Sequence, residues 1–329
     1  MQCTGISVVK NEADIIELFI RHNLKYLNKL HIVEHNCQDN TPDIIKSLKD
    51  EGYNLEIYTN SSSRHIQAEE FNRLMREVDS DFITFLDADE FLVSKDFQSS
   101  LEQLPSDIVS FLVWHNYVPQ PTDDKGEVNV LKRIGYRYLP DTNQHKAMIP
   151  RSIYSKPNSL TKIGGHEIYY KNGDEVVPAP YQLISSIHLA HFPCRSLNQI
   201  KVKAFANWLA TLADPLQSGG KIKDGKIPTW YHWKLLFELF KTSPDITEEE
   251  AVAATLDLYM RHSTNKRHLI YDPLPYEEIR YPIQELKPLQ CLANTAEQEV
   301  ATLQKLNELM FNLLGKIKEI DVSLFNSAK

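Results

Sequence analysis

Short apolar runs and stretches with helical periodicity alternate along the first hundred residues. The apolar runs have the length of buried strands and lie at Gly5 to Val9, Leu30 to Glu34, Leu55 to Tyr58 and from Phe82 onward. The stretches between them have the apolar spacing or the start and stop signals of helices, at Ala13 to Leu27, Thr41 to Gly52 and Ala68 to Val78. This alternation predicts a parallel sheet with helices on both faces.

The pattern changes after Asp89. Further strands are predicted without long helices between them, at Ile108 to Tyr117, Val128 to Tyr138, Lys146 to Tyr154 and Ile184 to Phe192. Helices are predicted from there onward, at Ser196 to Ala213, Thr229 to Lys241, Thr247 to His262 and Thr295 to Ile320. The sequence therefore predicts an α/β fold, with a mixed sheet flanked by helices at 1–205 and a helical C-terminal region at 206–329.

The helix predicted at 295–320 has an apolar repeat of seven residues. The repeat comprises two series, Leu303, Met310, Ile317 and Leu306, Leu313, Ile320. Such a seam must be buried, either against a second copy of the chain, giving a homodimer, or against the chain's own helices. Glutamates share the polar face with the lysines, which argues against a helix that lies on a membrane surface.

Composition narrows the class of protein. The 329-residue chain has a net charge of −8 and no basic run, so nucleic acid is not an expected partner. Its four cysteines are scattered without metal-site spacing, which favours reduced thiols in the cytoplasm. No apolar run approaches the roughly 20 residues of a membrane span. We therefore expect a cytoplasmic enzyme with at most peripheral membrane association.

The most informative stretch begins at Phe82 and reads FITFLDADEF. It brings Asp87 and Asp89 to the carboxyl end of a buried strand, where α/β sheets bind ligands. Paired carboxylates there suit Mg²⁺ or Mn²⁺ carrying a diphosphate, with Asp89 as the direct ligand and Asp87 on the ribose or the metal. The alternative is that these acids only end the strand in solvent or cap a following helix.

Three motifs in this order resemble a family 2 glycosyltransferase of GT-A fold. They are S-V-V-K-N-E at Ser7 to Glu12, H-N-C-Q-D-N-T at His35 to Thr41, and D-A-D-E-F, the form of the metal motif in a bacterial subgroup. The resemblance covers roughly residues 4–205. It implies metal-dependent transfer of a sugar, with inversion, from a nucleotide-sugar donor, UDP-linked, to a glycan or lipid-linked acceptor.

The resemblance also implies which residues contact the donor. Asn11 and Glu12 lie beside the nucleoside, and Asp39 accepts from the uracil N3, although Cys37 and Asn40 replace the usual serine and glycine of its motif. The helix before the D-x-D strand supplies further polar groups: Gln67, Asn72 and Arg73. Two plainer alternatives stay open: Asp39 is a turn residue, and Arg73 lies on a solvated face of its helix.

Two further positions carry candidate chemistry. The segment H-F-P-C-R-S resembles the family's H-Y-P-x-R-S, which implies that His191 binds the metal, whereas a lone strand histidine is otherwise a core residue. An inverting transfer needs a general base, and His166 and Glu167 in G-G-H-E are the candidates, with an exposed hairpin turn as the alternative. The family's usual E-D motif is missing there.

Two other functions are alternatives to a glycosyltransferase. A sugar-nucleotide pyrophosphorylase shares the sheet architecture, but the chain lacks a glycine-rich phosphate loop with a basic residue near its N-terminus. A non-catalytic glycan-binding protein with a decayed transferase fold is the other, and the intact acids and His191 argue against decay.

Overall fold

The computed structural model describes residues 1–139, 144–212, 231–259 and 268–294. The strands of the main sheet and its neighbours are β1 Cys3–Val9, β2 Lys29–His35, β3 Leu55–Asn60, β4 Phe82–Phe85, β5 Glu90–Val93, β6 Val109–Asn116, β7 Tyr136–Leu139, β8 His145–Pro150, β9 Ser159–Thr161, β10 Ile168–Asn172, β11 Glu175–Pro178, β12 Tyr181–His191 and β13 His268–Tyr271. The helices are α1 Ile16–Asn23, α2 Thr41–Asp50, α3 Gln67–Glu77, α4 Phe97–Glu102, α5 Val130–Arg133, α6 Arg151–Tyr154, α7 Leu197–Leu212, α8 Tyr231–Thr242 and α9 Glu248–Tyr259.

The central feature is an eight-stranded sheet of order β3-β2-β1-β4-β8-β6-β12-β5. The first four strands in this order run parallel. Strand β8 is antiparallel to both of its neighbours, and the edge strand β5 is antiparallel to β12. The predicted α/β fold with a mixed sheet flanked by helices is thus confirmed.

Helices cover both faces of the parallel half because its strands are apolar on both sides. Helices α1 and α2 pack on one face, through residues such as Phe19 and Ile45. Helix α3 packs on the other face through Phe71 and Leu74. With both faces covered, ligands reach this half of the sheet only at the ends of its strands.

The stretch that carries the acids is divided rather than continuous. Strand β4 ends at Phe85, and a tight turn follows in which the Glu90 amide donates to the Asp87 carbonyl at 3.0 Å. The Glu90 carboxylate accepts from the Asp87 amide at 2.8 Å. This reciprocal pair reverses the chain into β5, which pairs at the far edge of the sheet with β12.

The prediction of a strand at Val128 to Tyr138 is wrong. Asn129 caps a short helix, α5, because its side chain accepts from the Lys132 amide at 3.2 Å, and only Tyr136–Leu139 is extended. The strand predicted to reach Tyr154 ends at Pro150, where α6 begins. At Asn129 a side-chain cap at the helix start outweighs the apolar pattern.

Helices α7 to α9 pack around a separate apolar cluster that includes Ile200, Leu236 and Leu256. Helix α7 runs continuously from Leu197 to Leu212, across the domain boundary predicted after residue 205. The division into domains at 1–205 and 206–329 stays a prediction. Ser196 caps α7, since its Oγ accepts from the Gln199 amide at 3.1 Å, and Thr247 and Glu250 bond reciprocally at the start of α9.

After β13 an extended segment returns to the parallel half of the sheet. The amides of Arg280 and Tyr281 both donate to the Glu17 carboxylate of α1, at 3.0 Å. Asn40 fixes the segment again by donating to the Pro282 carbonyl at 2.8 Å, and residues 288–294 are helical. No helix in the described ranges is long and apolar enough to span a membrane. The predicted helix at 295–320 lies outside them.

Candidate active site

A cavity of about 830 Å³ lies where the carboxyl ends of β1, β2 and β4 meet α7. Most of the predicted site residues line it: Asn11, Glu12, Asp39, Gln67, Asp87, Asp89, His166 and His191. Three predicted residues do not: Asn72, Arg73 and Glu167. The structure therefore brings both predicted clusters of acids and histidines into one chamber. What each residue does there stays a prediction.

Asp87 is fixed through both of its carboxylate oxygens. Lys146 Nζ donates to Oδ2 and Gln67 Nε2 to Oδ1, each at 2.8 Å. Both partners are themselves anchored on Gly164, since Gln67 accepts from its amide at 2.9 Å and Lys146 donates to its carbonyl at 2.7 Å. Burial alone would lower the pKa of Lys146, but the carboxylates of Asp87 and Glu90 raise it, so this buried lysine is charged.

Asp89 is a buried carboxylate surrounded by cations. Its side chain is 1% exposed, Lys203 Nζ donates to its Oδ2 at 2.5 Å, and Arg195 Nη1 lies 3.6 Å away. Burial alone would raise the pKa of Asp89, but Lys203 and its other cationic neighbours hold it well below its usual range. The carboxylate is therefore ionised although almost no solvent reaches it.

His191 faces the second oxygen of the same carboxylate. Its Nδ1 lies 2.7 Å from Asn116 Oδ1, an acceptor, so Nδ1 carries the proton and donates. Nε2 is then an acceptor and lies 3.9 Å from Asp89 Oδ1. Burial lowers the pKa of His191 to about 4, which keeps the ring neutral at physiological pH. The Trp114 ring stacks on it at 4.2 Å between centroids.

This pair fits a divalent cation of the Mg²⁺ or Mn²⁺ type. Two acceptors that face each other across 3.9 Å repel unless a cation lies between them. Such ions take one or two protein ligands and complete their shell with water and substrate phosphates. No group of three or more His, Cys, Asp or Glu side chains in the described ranges is arranged as a metal site.

Arg195 connects the end of the cavity that contains Asp89 to the S-V-V-K-N-E motif at Ser7 to Glu12. It is 1% exposed and contacts Glu12 at 2.6 Å and Asp14 at 2.5 Å. Two carboxylates thus offset the charge of this arginine, and it fixes the loop after β1. Asn11 in that loop has a φ of 57° and accepts from the Gln38 amide at 2.7 Å. The loop is therefore built by its own polar side chains before any ligand arrives.

Asp39 has the turn role that was the plainer alternative. Its carboxylate accepts from the amides of Thr41 at 3.0 Å and Ala13 at 3.1 Å, which holds the start of α2 against the loop after β1. Burial raises its pKa. Because Asp39 also lines the cavity, the turn role and a nucleoside contact do not exclude each other.

The three residues outside the cavity have other partners. Asn72 bonds to both main-chain groups of Thr161, at 2.8 and 2.9 Å. Arg73 pairs with Glu70 at 2.7 Å and with a second glutamate one turn on. Glu167 accepts from the Tyr169 hydroxyl. Asn72 and Arg73 lie on the face of α3 that is turned away from the chamber.

His166 enters the cavity on a glycine turn. Gly164 and Gly165 have φ values of 91° and 62°, and a Cβ on Gly165 would lie 2.7 Å from Phe85 Cβ, so only glycine permits this approach to β4. His166 Nδ1 donates to the His145 carbonyl at 2.7 Å, which leaves Nε2 as the acceptor. Burial lowers the pKa of His166 to about 4.

Several residues of the site were missed from the sequence. Trp114, Lys203 and Glu285 line the cavity, and Lys146 lies buried behind it against Asp87. The lysines lie 59 and 114 residues from the carboxylates they contact. No motif marks either lysine, because an ion pair formed over such a separation leaves no local pattern.

Residues 6–162 match the sequence profile of the family described as Glycosyl transferase family 2. The protein is an enzyme of the glycosyltransferase class. The matched segment of this glycosyltransferase contains Asp87 and Asp89, whereas His191, Arg195 and Lys203 lie beyond it. The resemblance inferred from the motifs is thus confirmed at the level of the family match, and the bacterial subgroup stays a prediction. A comparison with curated proteins gave no match.

Solved glycosyltransferases show a distant likeness. The structure of S. aureus TarS 1-349 is 10% identical with a TM-score of 0.41, covering 85% of this chain and 100% of that one. Its complex with UDP-GlcNAc is 12% identical with a TM-score of 0.39, over 84% and 99%. The mannosyltransferase PcManGT from Pyrobaculum calidifontis, in complex with GDP-Man and Mn²⁺, is 14% identical with a TM-score of 0.38, over 80% and 76%.

Proposed function

We propose that this glycosyltransferase takes its sugar from a nucleoside-diphosphate donor, UDP-linked, bound with a divalent ion. The observation that carries the proposal is the pair of facing acceptors, Asp89 Oδ1 and His191 Nε2, 3.9 Å apart in the wall of the cavity. A carboxylate and a neutral imidazole suit Mn²⁺, and Mg²⁺ is the alternative. When bound, the ion would neutralise the charge that develops on the leaving diphosphate.

The nucleoside belongs at the other end of the cavity. Asn11, Glu12 and Asp39 lie there, at the ends of β1 and β2, where open α/β sheets bind nucleotides. Asp39 would accept from the uracil N3–H with a lone pair that its two amide partners leave free. Asp87 would contact the ribose or a metal-bound water from its fixed position between Gln67 and Lys146.

The transferred sugar belongs between the metal pair and His166. Trp114 lines this part of the cavity, where its ring contacts both His191 and His166 and forms an apolar wall. His166 Nε2 would accept the proton of the attacking hydroxyl, which an inverting transfer requires. The acceptor is a glycan or a lipid-linked glycan precursor of polysaccharide biosynthesis. A cytoplasmic location is part of the proposal, since all four cysteines are described and none forms a disulfide.

Calorimetry tests the proposal directly. UDP is titrated into the protein with Mn²⁺ and with a chelator, and a panel of nucleotide sugars is screened by thermal stabilisation. We expect UDP binding that depends on the ion, and its loss together with donor turnover in Asp89→Asn. The exposed Asp50, which pairs with Lys46 on the surface of α2, supplies the control Asp50→Asn. Undiminished UDP binding in chelator would contradict the metal site. So would an Asp89→Asn variant whose UDP binding and donor turnover equal those of the wild type.

A further inference from the structure

Lys203 reaches from the middle of α7 into the end of the cavity that contains Asp89. Its Nζ lies 2.5 Å from Asp89 Oδ2, and its side chain is 20% exposed where that of Asp89 is 1% exposed. It also lines the cavity. The lysine thus stands between the buried carboxylate and the space where the diphosphate of a donor would lie.

The other cations near the two aspartates are held in place. Arg195 is bound by Glu12 and Asp14, two carboxylates that already offset its charge. Lys146 is wholly buried and donates to the Gly164 carbonyl as well as to Asp87. Neither group can leave its partners without exposing buried charges, which would be costly. Lys203 differs because its side chain is 20% exposed and lines the cavity, on a flexible four-carbon stem.

We infer that Lys203 binds the diphosphate of the nucleotide donor and occupies Asp89 only while the donor is absent. This inference rests on the proposed function of the same site. A divalent ion that takes Asp89 as a ligand competes with the Lys203 ammonium for that carboxylate and repels it. The diphosphate that arrives with the ion offers the displaced ammonium new acceptors of the same charge. Lys203 is therefore a donor-binding residue that balances the charge of Asp89 between turnovers.

The inference predicts effects of opposite sign on two ligands when the ammonium is removed. In Lys203→Met, Mn²⁺ alone should bind about 10-fold more tightly than to the wild type, because a competitor and a repelling charge are gone. UDP in saturating Mn²⁺ should bind about 10-fold more weakly, because a charged hydrogen bond to phosphate is lost. Lys203→Arg keeps the charge and should restore UDP binding and weaken Mn²⁺ binding again.

Calorimetry with Mn²⁺ alone and with UDP in saturating Mn²⁺ supplies both readings without any enzymatic turnover. Lys201→Met is the matched control, since Lys201 lies on the same helix but donates to the Pro244 carbonyl, and both affinities should stay unchanged. Weaker Mn²⁺ binding in Lys203→Met, or unchanged UDP binding, overturns the inference while the proposed function stands. A wild-type protein that binds neither probe contradicts the proposed function, and the inference falls with it.

Discussion

Lys146 Nζ lies 2.8 Å from Asp87 Oδ2, and the lysine side chain is completely shielded from solvent. Glu90 lies 3.5 Å from the same ammonium and is also fully buried. One buried cation therefore serves two acids that sit on either side of the turn after β4. Its removal would leave the buried Glu90 and the partly exposed Asp87 without their counter-charge.

The first prediction concerns this lysine. Lys146→Met should lower the free energy of unfolding by about 3 kcal/mol, because the acids around it lose their buried counter-charge. Urea unfolding followed by circular dichroism measures the change. Lys156, which lies on the surface over the Tyr170 ring at 4.5 Å, provides the control Lys156→Met, with an expected loss below about 1 kcal/mol. Equal losses in the two variants would show that the buried pair adds nothing to stability.

The second prediction concerns the orientation of the proposed imidazole ligand. Asn116 fixes the proton of His191 on Nδ1 through a contact of 2.7 Å. Asn116→Ala should weaken Mn²⁺ binding about 10-fold, the usual effect of removing the partner that orients a metal ligand. The surface Asn158, which bonds to Asn172 at 2.9 Å, is the matched control as Asn158→Ala. His191 would return to a packing role if neither Asn116→Ala nor His191→Ala changed the affinity for Mn²⁺.

The third prediction separates the two candidates for the general base. His166→Gln should reduce turnover by about 10²- to 10⁴-fold and leave UDP affinity within a factor of about two, because the base acts only on the acceptor. Glu167→Gln should have a small effect, since Glu167 does not line the cavity and is bound by Tyr169. Steady-state kinetics with calorimetry on both variants decides between them, and the reverse pattern would assign the base to Glu167.

The fourth prediction concerns acid stability. Burial lowers the pKa of His22 to about 4, its Nε2 donates to the Leu92 carbonyl at 2.7 Å, and its Nδ1 has no partner in the described part of the chain. The pKa of His22 in the unfolded chain is about 6.5, so below this pH the ring becomes protonated in the unfolded chain while it stays neutral in the folded protein. His22 therefore destabilises the fold progressively as the pH falls from about 6.5 to 4, by about 3 kcal/mol in total.

Urea unfolding at a series of pH values measures this effect. His22→Gln should be less stable than the wild type at pH 7.5, where it lacks the packing of the ring, and should lose less stability on acidification. The exposed His268 gives the control His268→Gln, which should follow the wild-type curve. If His22→Gln loses stability with falling pH as steeply as the wild type, groups other than His22 cause the acid sensitivity.

The fifth prediction concerns association through residues 295–320. If their seven-residue repeat forms a seam between two copies, the full chain is a dimer and a chain truncated before Thr295 is a monomer. Light scattering at micromolar concentration distinguishes the two. A monomer in both cases would leave the seam to packing within one chain.

The sequence allowed the parallel half of the sheet to be predicted because each of its elements is encoded locally. Apolar runs of strand length and the Thr41-Pro42 start of α2 are visible without knowledge of the fold. Asp87, Asp89 and His191 were found for a related reason, since each lies in a short motif at a strand end. Errors arose where a single side chain decided the outcome, as at Asn129, whose cap replaces the predicted strand by a helix.

The charge partners of the site could not be predicted. Lys146 and Lys203 carry no motif, and whether a lysine meets a carboxylate 59 or 114 residues away depends on the complete topology. Arg73 shows the converse. Its helix was placed correctly, but the rotation of α3 directs it to Glu70 and Glu77 rather than to the cavity. Rotation by one residue about a helix axis is finer than apolar periodicity specifies.

The position of β12 has a consequence for synthesis of the chain on the ribosome. This strand, Tyr181–His191, is inserted between β6 and β5, both of which are made about seventy or more residues earlier. Until it emerges, the nascent sheet has two open edges that can pair with other chains. The cavity is finished later still, when Glu285 and Leu286 arrive. A nascent chain thus acquires a complete sheet before it acquires a complete cavity, and a ligand of the cavity can stabilise it fully only after residue 286 has emerged.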